Sequence, residues 1–289
     1  MDIRRIEERC NKCMLCVKDC AAGVWRDING EPTPFAPYLC NLCSHCVAVC
    51  PRNAIEHSAL DGSKIKPAKK KLDSENYRDI VMGRRSVREY KDKPVPKKVI
   101  EDILDLAKYS PTASNTQNVQ YTVVTDKDLL KKVSRRVFGF AVKTNSFLKT
   151  RTGKIVKSAI SKTNFGKTFG KYTAGIDYYI ERAQKGKDYI LHNAPGLILI
   201  HTPAKSSFSA DNCNIAATNI TNYAHSLGLG TCYIGFLTMA LRHDKQLKEM
   251  LKIPKDRKVH ASLVLGYPAY RHSFTVFRKE PVIHWIEGS

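Results

Sequence analysis

Hydrophobic positions follow two rhythms in this 289-residue chain, with a change of character near residue 74. Helical spacing is clearest in 96–109, where Val99, Ile100, Ile103, Leu104 and Ala107 share one face behind Pro96. A second helix is predicted over 209–227, with Ser209 as N-cap, Asp211 complementing the first-turn dipole and Gly228 as the stop. Runs of β-branched and apolar residues bounded by turn residues predict strands at 120–125, 196–202 and 260–267. The stretch 138–190 has weak periodicity and many Lys, Gly and Thr, and reads as a partly helical insertion with a mobile portion. Residues 1–60 hold only short apolar pieces between cysteines and turns. Residues 61–73, "DGSKIKPAKKKLD", have the polar, Lys-rich composition of a solvated linker. The expected organisation is therefore 1–60, a linker at 61–73, and a mixed helix-and-sheet domain over 74–289.

Composition narrows the class. The hydrophobic fraction, 43%, suffices for a real core. The longest apolar run, "APGLILIH" from Ala194, has strand length, so no membrane helix is expected. The charged start "MDIRRIEERCNK" does not read as a secretory signal, and the expected compartment is the cytoplasm. Ten cysteines in that setting point to metal or redox chemistry rather than to disulfides. The formal net charge of +21 lies entirely beyond residue 60. Its densest part is 126–171, with thirteen Lys or Arg against Asp126 and Asp128. A solvated basic face explains such a stretch, as does attraction to an anionic substrate, an acidic redox partner or nucleic acid.

Eight cysteines form two copies of C-x2-C-x2-C-x3-C: Cys10, Cys13, Cys16 and Cys20, then Cys40, Cys43, Cys46 and Cys50. Three thiolates at two-residue gaps can wrap one face of a cubane. Zinc sites use two pairs of cysteines per ion, so a doubled triplet fits zinc poorly. The segment resembles bacterial-type ferredoxins with two [4Fe–4S] clusters. In that arrangement the fourth cysteine serves the other cluster. The resemblance thus implies one cluster on Cys10, Cys13, Cys16 and Cys50, and a second on Cys40, Cys43, Cys46 and Cys20. Cys213 and Cys232 stand outside the motif and read as small buried side chains.

"GRRSVREY" (83–90) offers three arginines and a serine within five residues, donors suited to a phosphate. It is followed by "SPTASNTQNVQYTVV" (110–124), "GLGTCYIG" (228–235) and "LVLGYPAYRHSFTVFRKEP" (263–281). In this order the four segments resemble the flavin-dependent nitroreductase family. With its Cys-rich N-terminal segment, the chain resembles the ferredoxin–nitroreductase fusions of anaerobic organisms.

That resemblance implies an α+β fold, an antiparallel sheet flanked by helices and preceded by a small ferredoxin-like 2[4Fe-4S] domain. It also implies FMN. Arg84, Arg85, Ser86 and Arg88 would hold the ribityl and phosphate end. Pro111, Thr112, Ala113, Asn115 and Gln117 match a loop that in the family comes from the neighbouring subunit of a homodimer to line the ring. Tyr233, Ile234 and Gly235 match a segment whose backbone packs beside the ring, and Arg278 matches a phosphate arginine. The chain departs from the family pattern at Asn118 and Gln120, which follow the Gln of the loop, and at Phe274. No Ser/His/Asp set is needed, since a flavin carries its own redox chemistry. His192, His201 and His225 read as structural or surface residues.

The expected activity is FMN-dependent reduction of a small organic acceptor: a nitroaromatic, a quinone or similar. Two clusters would supply electrons, with reduced ferredoxin as donor. Two enzyme alternatives stand: an anionic acceptor such as an enoate, or NAD(P)H as donor. A redox-responsive nucleic-acid-binding protein is the rival from another class. No helix-turn-helix or stacking-aromatic module supports it, and neither a nucleic-acid nor a membrane partner is expected. If the cysteine exchange operates, Cys20→Ala depletes the cluster built mainly by Cys40, Cys43 and Cys46 and spares the other. Iron content and EPR of the reduced protein report which cluster is lost.

Overall fold

The computed structural model describes residues 1–68, 71–161 and 176–288. The chain divides into two units, Met1–Asp73 with Thr112–Gln117, and Ser74–Pro111 with Asn118–Ser289.

In the first unit the repeated cysteine spacing becomes a repeated backbone. The strands β1 (Ile3–Arg5) and β4 (Ile55–His57) pair antiparallel, as do β2 (Trp25–Ile28) and β3 (Glu31–Pro34). Two five-residue helices, α1 (Leu15–Asp19) and α2 (His45–Val49), sit between them. Cys10 and Cys40 are thirty residues apart, and the same offset relates the backbone outliers Lys12 to Leu42 and Met14 to Ser44, all left-handed. A chain bends tightly enough to aim several thiols at one point only through such conformations. The apolar core is small, Ile3, Val24, Trp25 and Ile55 packed with Cys16.

The second unit is built on a four-stranded antiparallel sheet in the order β5 (Gln120–Val124), β6 (Gly196–Pro203), β8 (Arg257–Gly266), β7 (Gly230–Tyr233). β6 is buried from Gly196 to Thr202, so it reads as a continuous apolar run rather than an alternating one. Its alternate residues face two different cores. Leu197 and Leu199 join Val124 and Val264 on one face. That face is covered by α5 (Lys127–Lys149), α9 (Gly235–Ala240) and α10 (Lys245–Met250) through Leu130, Val133, Leu237, Leu241, Leu247 and Leu251. Ile198 and Ile200 join Ala261, Leu263 and Leu265 on the other. There α4 (Lys97–Ala107) contributes Ile100, Ile103 and Ala107, and α8 (Ser209–Ser226) contributes Cys213, Ala217, Ile220 and Ala224. Cys213 and Cys232 are both buried in these cores, as small apolar side chains would be.

Both predicted helices and all three predicted strands are present, with ends displaced by a few residues. The cap of α8 differs from expectation. Phe208, left-handed at φ 54, precedes the helix, and Ser209 lies inside it, its Oγ donating to the Ser206 carbonyl at 2.6 Å. Gly228 stops α8 at φ 76, with its N–H on the His225 carbonyl. The described part of the basic stretch, 126–161, is more regular than its sequence suggests. Asp126 caps α5 by accepting the Leu129 N–H at 2.7 Å, and α6 (Arg151–Ser161) follows directly. A further helix, α7 (Ile176–Gln184), lies in the same insertion, and α3 (Ser74–Gly83) opens the unit. Residues 162–175 of the 138–190 stretch lie outside the described residues. Among the described residues no helix is long and apolar enough to cross a membrane.

His201 shows how the sheet handles a buried polar group. It sits at the bulge of β6, where the Arg257 Nε–H donates to its Nδ1 at 2.9 Å. Nδ1 is thus the acceptor, Nε2 carries the proton, and Nε2–H donates to Thr122 Oγ1 at 3.0 Å. Burial, then the neighbouring Arg257 charge, lowers the His201 pKa to about 4. Between an unfolded value of about 6.5 and 4, only the unfolded chain binds this proton, so stability falls as pH drops through that window. The expected loss is roughly 1.4 kcal/mol per pH unit. Urea unfolding between pH 7 and 4 measures it, and His201→Gln flattens the slope.

Candidate functional site

The cysteines come first, because four of them enclose a cavity. Cys10, Cys13, Cys16 and Cys50 line it, with Arg5, Trp25 and Ile55 among the other walls. Cys20 is absent from that lining, and the four present are the set that exchange of the fourth cysteine implies. Cys40 and Cys43 lie near enough to Cys46 for their charges to raise its pKa. Among the described residues no three His, Cys, Asp or Glu groups converge closely enough for a single ion. Four thiols around one cavity are instead the donor set of an iron–sulfur cluster. Burial pushes Cys16 up to about 11 and also raises Cys46. Such thiols ionise when a metal replaces the proton.

Backbone donors surround the sulfurs. Lys12 N–H donates to Cys10 Sγ and Leu42 N–H to Cys40 Sγ, each at 3.4 Å, and Ala54 N–H donates to Cys50 Sγ at 3.2 Å. The indole Nε1 of Trp25 is buried in the wall of the same cavity, near Cys46 but without a well-formed hydrogen bond. Its N–H also lowers the Cys46 pKa, though less than burial raises it. An orphaned donor between sulfurs suits a sulfide-bearing guest.

In the second unit, the arginine strip lies along the sheet. Ser86 bridges Thr231 of β7 in parallel, and Val87 N–H donates to the Thr231 carbonyl at 2.9 Å. Gly230 permits this approach: a Cβ there would lie 2.5 Å from Val87 Cγ2 and 2.7 Å from Val87 Cβ. Tyr90 anchors the far end, its hydroxyl donating to the Val87 carbonyl at 2.7 Å.

Arg84, Arg85 and Arg278 form a cationic group. Burial lowers the Arg85 pKa, and the Arg278 and Arg84 charges lower it further. Arg85 donates to the Met82 carbonyl, yet its Nε is buried without a partner. Two guanidinium charges acting on Arg85, whose Nε–H is unpartnered, leave donors of the kind an oxyanion accepts. Arg88 is exposed beside them, and its guanidinium lowers the Cys232 pKa against the rise from burial. His225 also reaches this group: burial, then Arg84 and Arg85, lower its pKa. Nothing in its sequence spacing marks that position, since helix α8 brings it from far along the chain.

Tyr233 is 43% exposed at the end of β7, with burial raising its pKa against a hydrogen bond from Thr218. Ile234 is buried in the core, so only its backbone is available, its N–H on the Ser262 carbonyl at 2.8 Å. Gly235 is exposed at the start of α9. Pro111 belongs to this unit, whereas Thr112, Ala113, Asn115 and Gln117 group with the cysteine unit. There the Asn115 Nδ2–H donates to the Asn41 carbonyl at 2.9 Å, and the Gln117 N–H to Thr112 Oγ1 at 3.0 Å. Ser114, Asn115 and Gln117 all have φ near 50°, strain of the sort concentrated at functional loops. Asn118 has a structural task, its carbonyl accepting from Arg257 at 2.8 Å and its amide donating to Ser206 Oγ at 2.6 Å.

Residues 81–267, more than half of the chain, match the nitroreductase family. The chain belongs to that family. Residues 9–55 match the 4Fe-4S dicluster domain, so this nitroreductase-family oxidoreductase carries a fused iron–sulfur domain. A putative NADH dehydrogenase/NAD(P)H nitroreductase of Archaeoglobus fulgidus is 27% identical over 68% of this chain and 87% of its own. The 4-nitrobenzoate reductase of a Nocardioides species is 28% identical over 72% and 87%. Among solved structures, an FMN-bound nitroreductase from Desulfitobacterium hafniense superposes with a TM-score of 0.53 at 15% identity, covering 73% of this chain and 98% of that one. An iodotyrosine deiodinase bound to FMN and 3-iodo-L-tyrosine gives the same TM-score at 16% identity, over 73% and 99%. These two establish the sheet-and-helix fold.

The close approach at Gly230 is testable by itself. Gly230→Ala is expected to cost about 1–3 kcal/mol through overpacking against Val87. Val87→Ala in the same chain recovers only part of it, since the Val87 Cβ remains in the way, and Val87→Gly recovers more; double-mutant cycles in denaturant measure both.

Proposed function

We propose that this protein is an FMN-dependent reductase of small organic acceptors whose two [4Fe–4S] clusters bring in electrons singly. The observation that carries the flavin assignment is the Arg84, Arg85 and Arg278 group with its orphaned Arg85 Nε, beside a strand whose end exposes Tyr233 and the Gly235 backbone. Those arginines would take the phosphate, Ser86 and Arg88 the ribityl chain, and Tyr233 to Gly235 the edge of the ring. Relatives whose solved structures hold FMN share this fold. Bound flavin supplies both one- and two-electron chemistry, so the protein's part is binding, access and charge. The clusters would be held by Cys10, Cys13, Cys16 and Cys50, and by Cys40, Cys43, Cys46 and Cys20, their thiols and N–H donors supporting one-electron relay.

A homodimer belongs to this reading. The tail beyond Gly266 has no regular helix or strand among its described residues, and it exposes Phe274, Phe277, Val282, Trp285 and Ile286. So much uncovered apolar surface suits an interface. A nitroaromatic or quinone acceptor follows the nitro-reducing names of the relatives. An anionic enoate is the alternative acceptor, supported by the basic helices α5 and α6.

Reduced ferredoxin is the proposed donor, since a fused dicluster domain gives a one-electron carrier somewhere to dock. Anaerobic mixing of the holoprotein, followed at the flavin absorbance, tests the reading. Rapid bleaching by reduced ferredoxin and slow bleaching by NADPH are expected, and the reverse order overturns the donor. Absence of a flavin spectrum in protein purified with both cofactors supplied overturns the FMN assignment.

A further inference from the structure

The two cysteine motifs share a spacing and matched left-handed turns but differ in the side chains set against their sulfurs. Under the thirty-residue offset, Cys10 corresponds to Cys40, Trp25 to Ile55, and Asp27 to His57. Asp27 is exposed and accepts the Gly30 N–H at 2.9 Å, a turn contact away from any sulfur. His57 is 8% exposed on β4, and its Nε2 lies 3.4 Å from Cys40 Sγ. The Ala59 N–H donates to His57 Nδ1 at 3.3 Å. Nδ1 is therefore the acceptor in the neutral ring, which leaves the proton on Nε2, aimed at the sulfur. Burial disfavours the charged ring.

We propose that His57 is a positioning residue for the cluster on Cys40, Cys43, Cys46 and Cys20, and that its Nε2–H···Sγ bond to Cys40 raises that cluster's reduction potential. The proposal rests on the two-cluster reading above. Each reduction adds one electron, drawn from a low-potential donor, and makes the cluster more negative. A donor already pointing at a ligand sulfur favours the more negative state, because hydrogen bonds to cluster sulfurs are among the levers on potential. No proton moves, since Nε2 keeps its hydrogen throughout. Both motifs have a backbone donor at the matching place, from Lys12 and Leu42, so these contribute alike. The Cys10 side instead has Arg5, which is paired with Glu31 and Glu7 and also interacts with the Cys10 sulfur. The two motifs thus set different side chains against their first sulfur, a buried imidazole at Cys40 and an ion-paired guanidinium at Cys10, and His57 acts on the Cys40 cluster alone.

The experiment is an anaerobic EPR-monitored redox titration of the full-length holoprotein, with dithionite as reductant and iron measured on every sample. In His57→Ala one of the two potentials is expected to fall, its reduction equilibrium weakened about tenfold, or ~59 mV for one electron. The other stays in place. His57→Gln, whose amide can still donate, keeps both potentials close to wild type. Pulsed EPR on wild-type protein labelled with 15N-histidine should show a weak nitrogen coupling to one reduced cluster, lost in His57→Gln but retained in His45→Gln.

Full iron content with both potentials unmoved in His57→Ala overturns the proposal. So does a missing 15N coupling in wild type, which decides the matter even if both variants lose iron. Wild-type protein holding less than two clusters' worth of iron overturns the cluster reading itself, a distinct result.

Discussion

The second unit depends on the antiparallel ladder between β6 and β8, which is buried from both sides. A strand covered on one face can alternate polar and apolar residues; one covered on both must be apolar almost throughout. Leu197 to Ile200 and Leu263 to Leu265 meet that demand, so helices are required on each face. Polar chemistry is then pushed to the strand ends and to the segments beside β7. The cationic group forms there, with Arg85 on the approach to β7 and Tyr233 at its end. Two large polar residues inside, His201 and Arg257, are tolerated because they hydrogen-bond each other and find further partners in Thr122 and the Asn118 carbonyl.

The cysteine unit obeys a different constraint. Its apolar core is too small to impose a shape, and its local backbone is set by tight left-handed turns at matched positions. Sulfur and N–H groups, rather than leucines, occupy its interior. The unit is thus organised around donors and acceptors for a guest, and side chains such as Trp25 and His57 gain their meaning from it.

Much of this was legible in the amino-acid order, though unevenly. The β6 and β8 strands and the α4 and α8 helices stand out because burial on such elements leaves a strong periodic signal. The cysteine spacing is equally plain, since thiols wrapping a compact centre need fixed gaps. α5 was obscured because its exposed lysines outnumber its buried Leu130, Val133 and Val137. β7 was obscured because it is short and opens on a glycine whose purpose, contact with Val87, lies far away in the chain. His57, Trp25 and His225 carry no local pattern at all. Each becomes significant only when folding brings a sulfur or a guanidinium to it. The Ser209 cap failed for a related reason, since Phe208 adopts a conformation that its residue type rarely takes.

The pushed-up thiol of Cys16 has a wider meaning. A thiol that keeps its proton so firmly must surrender it to solvent when a metal binds, so loading this domain would release protons and grow easier as pH rises.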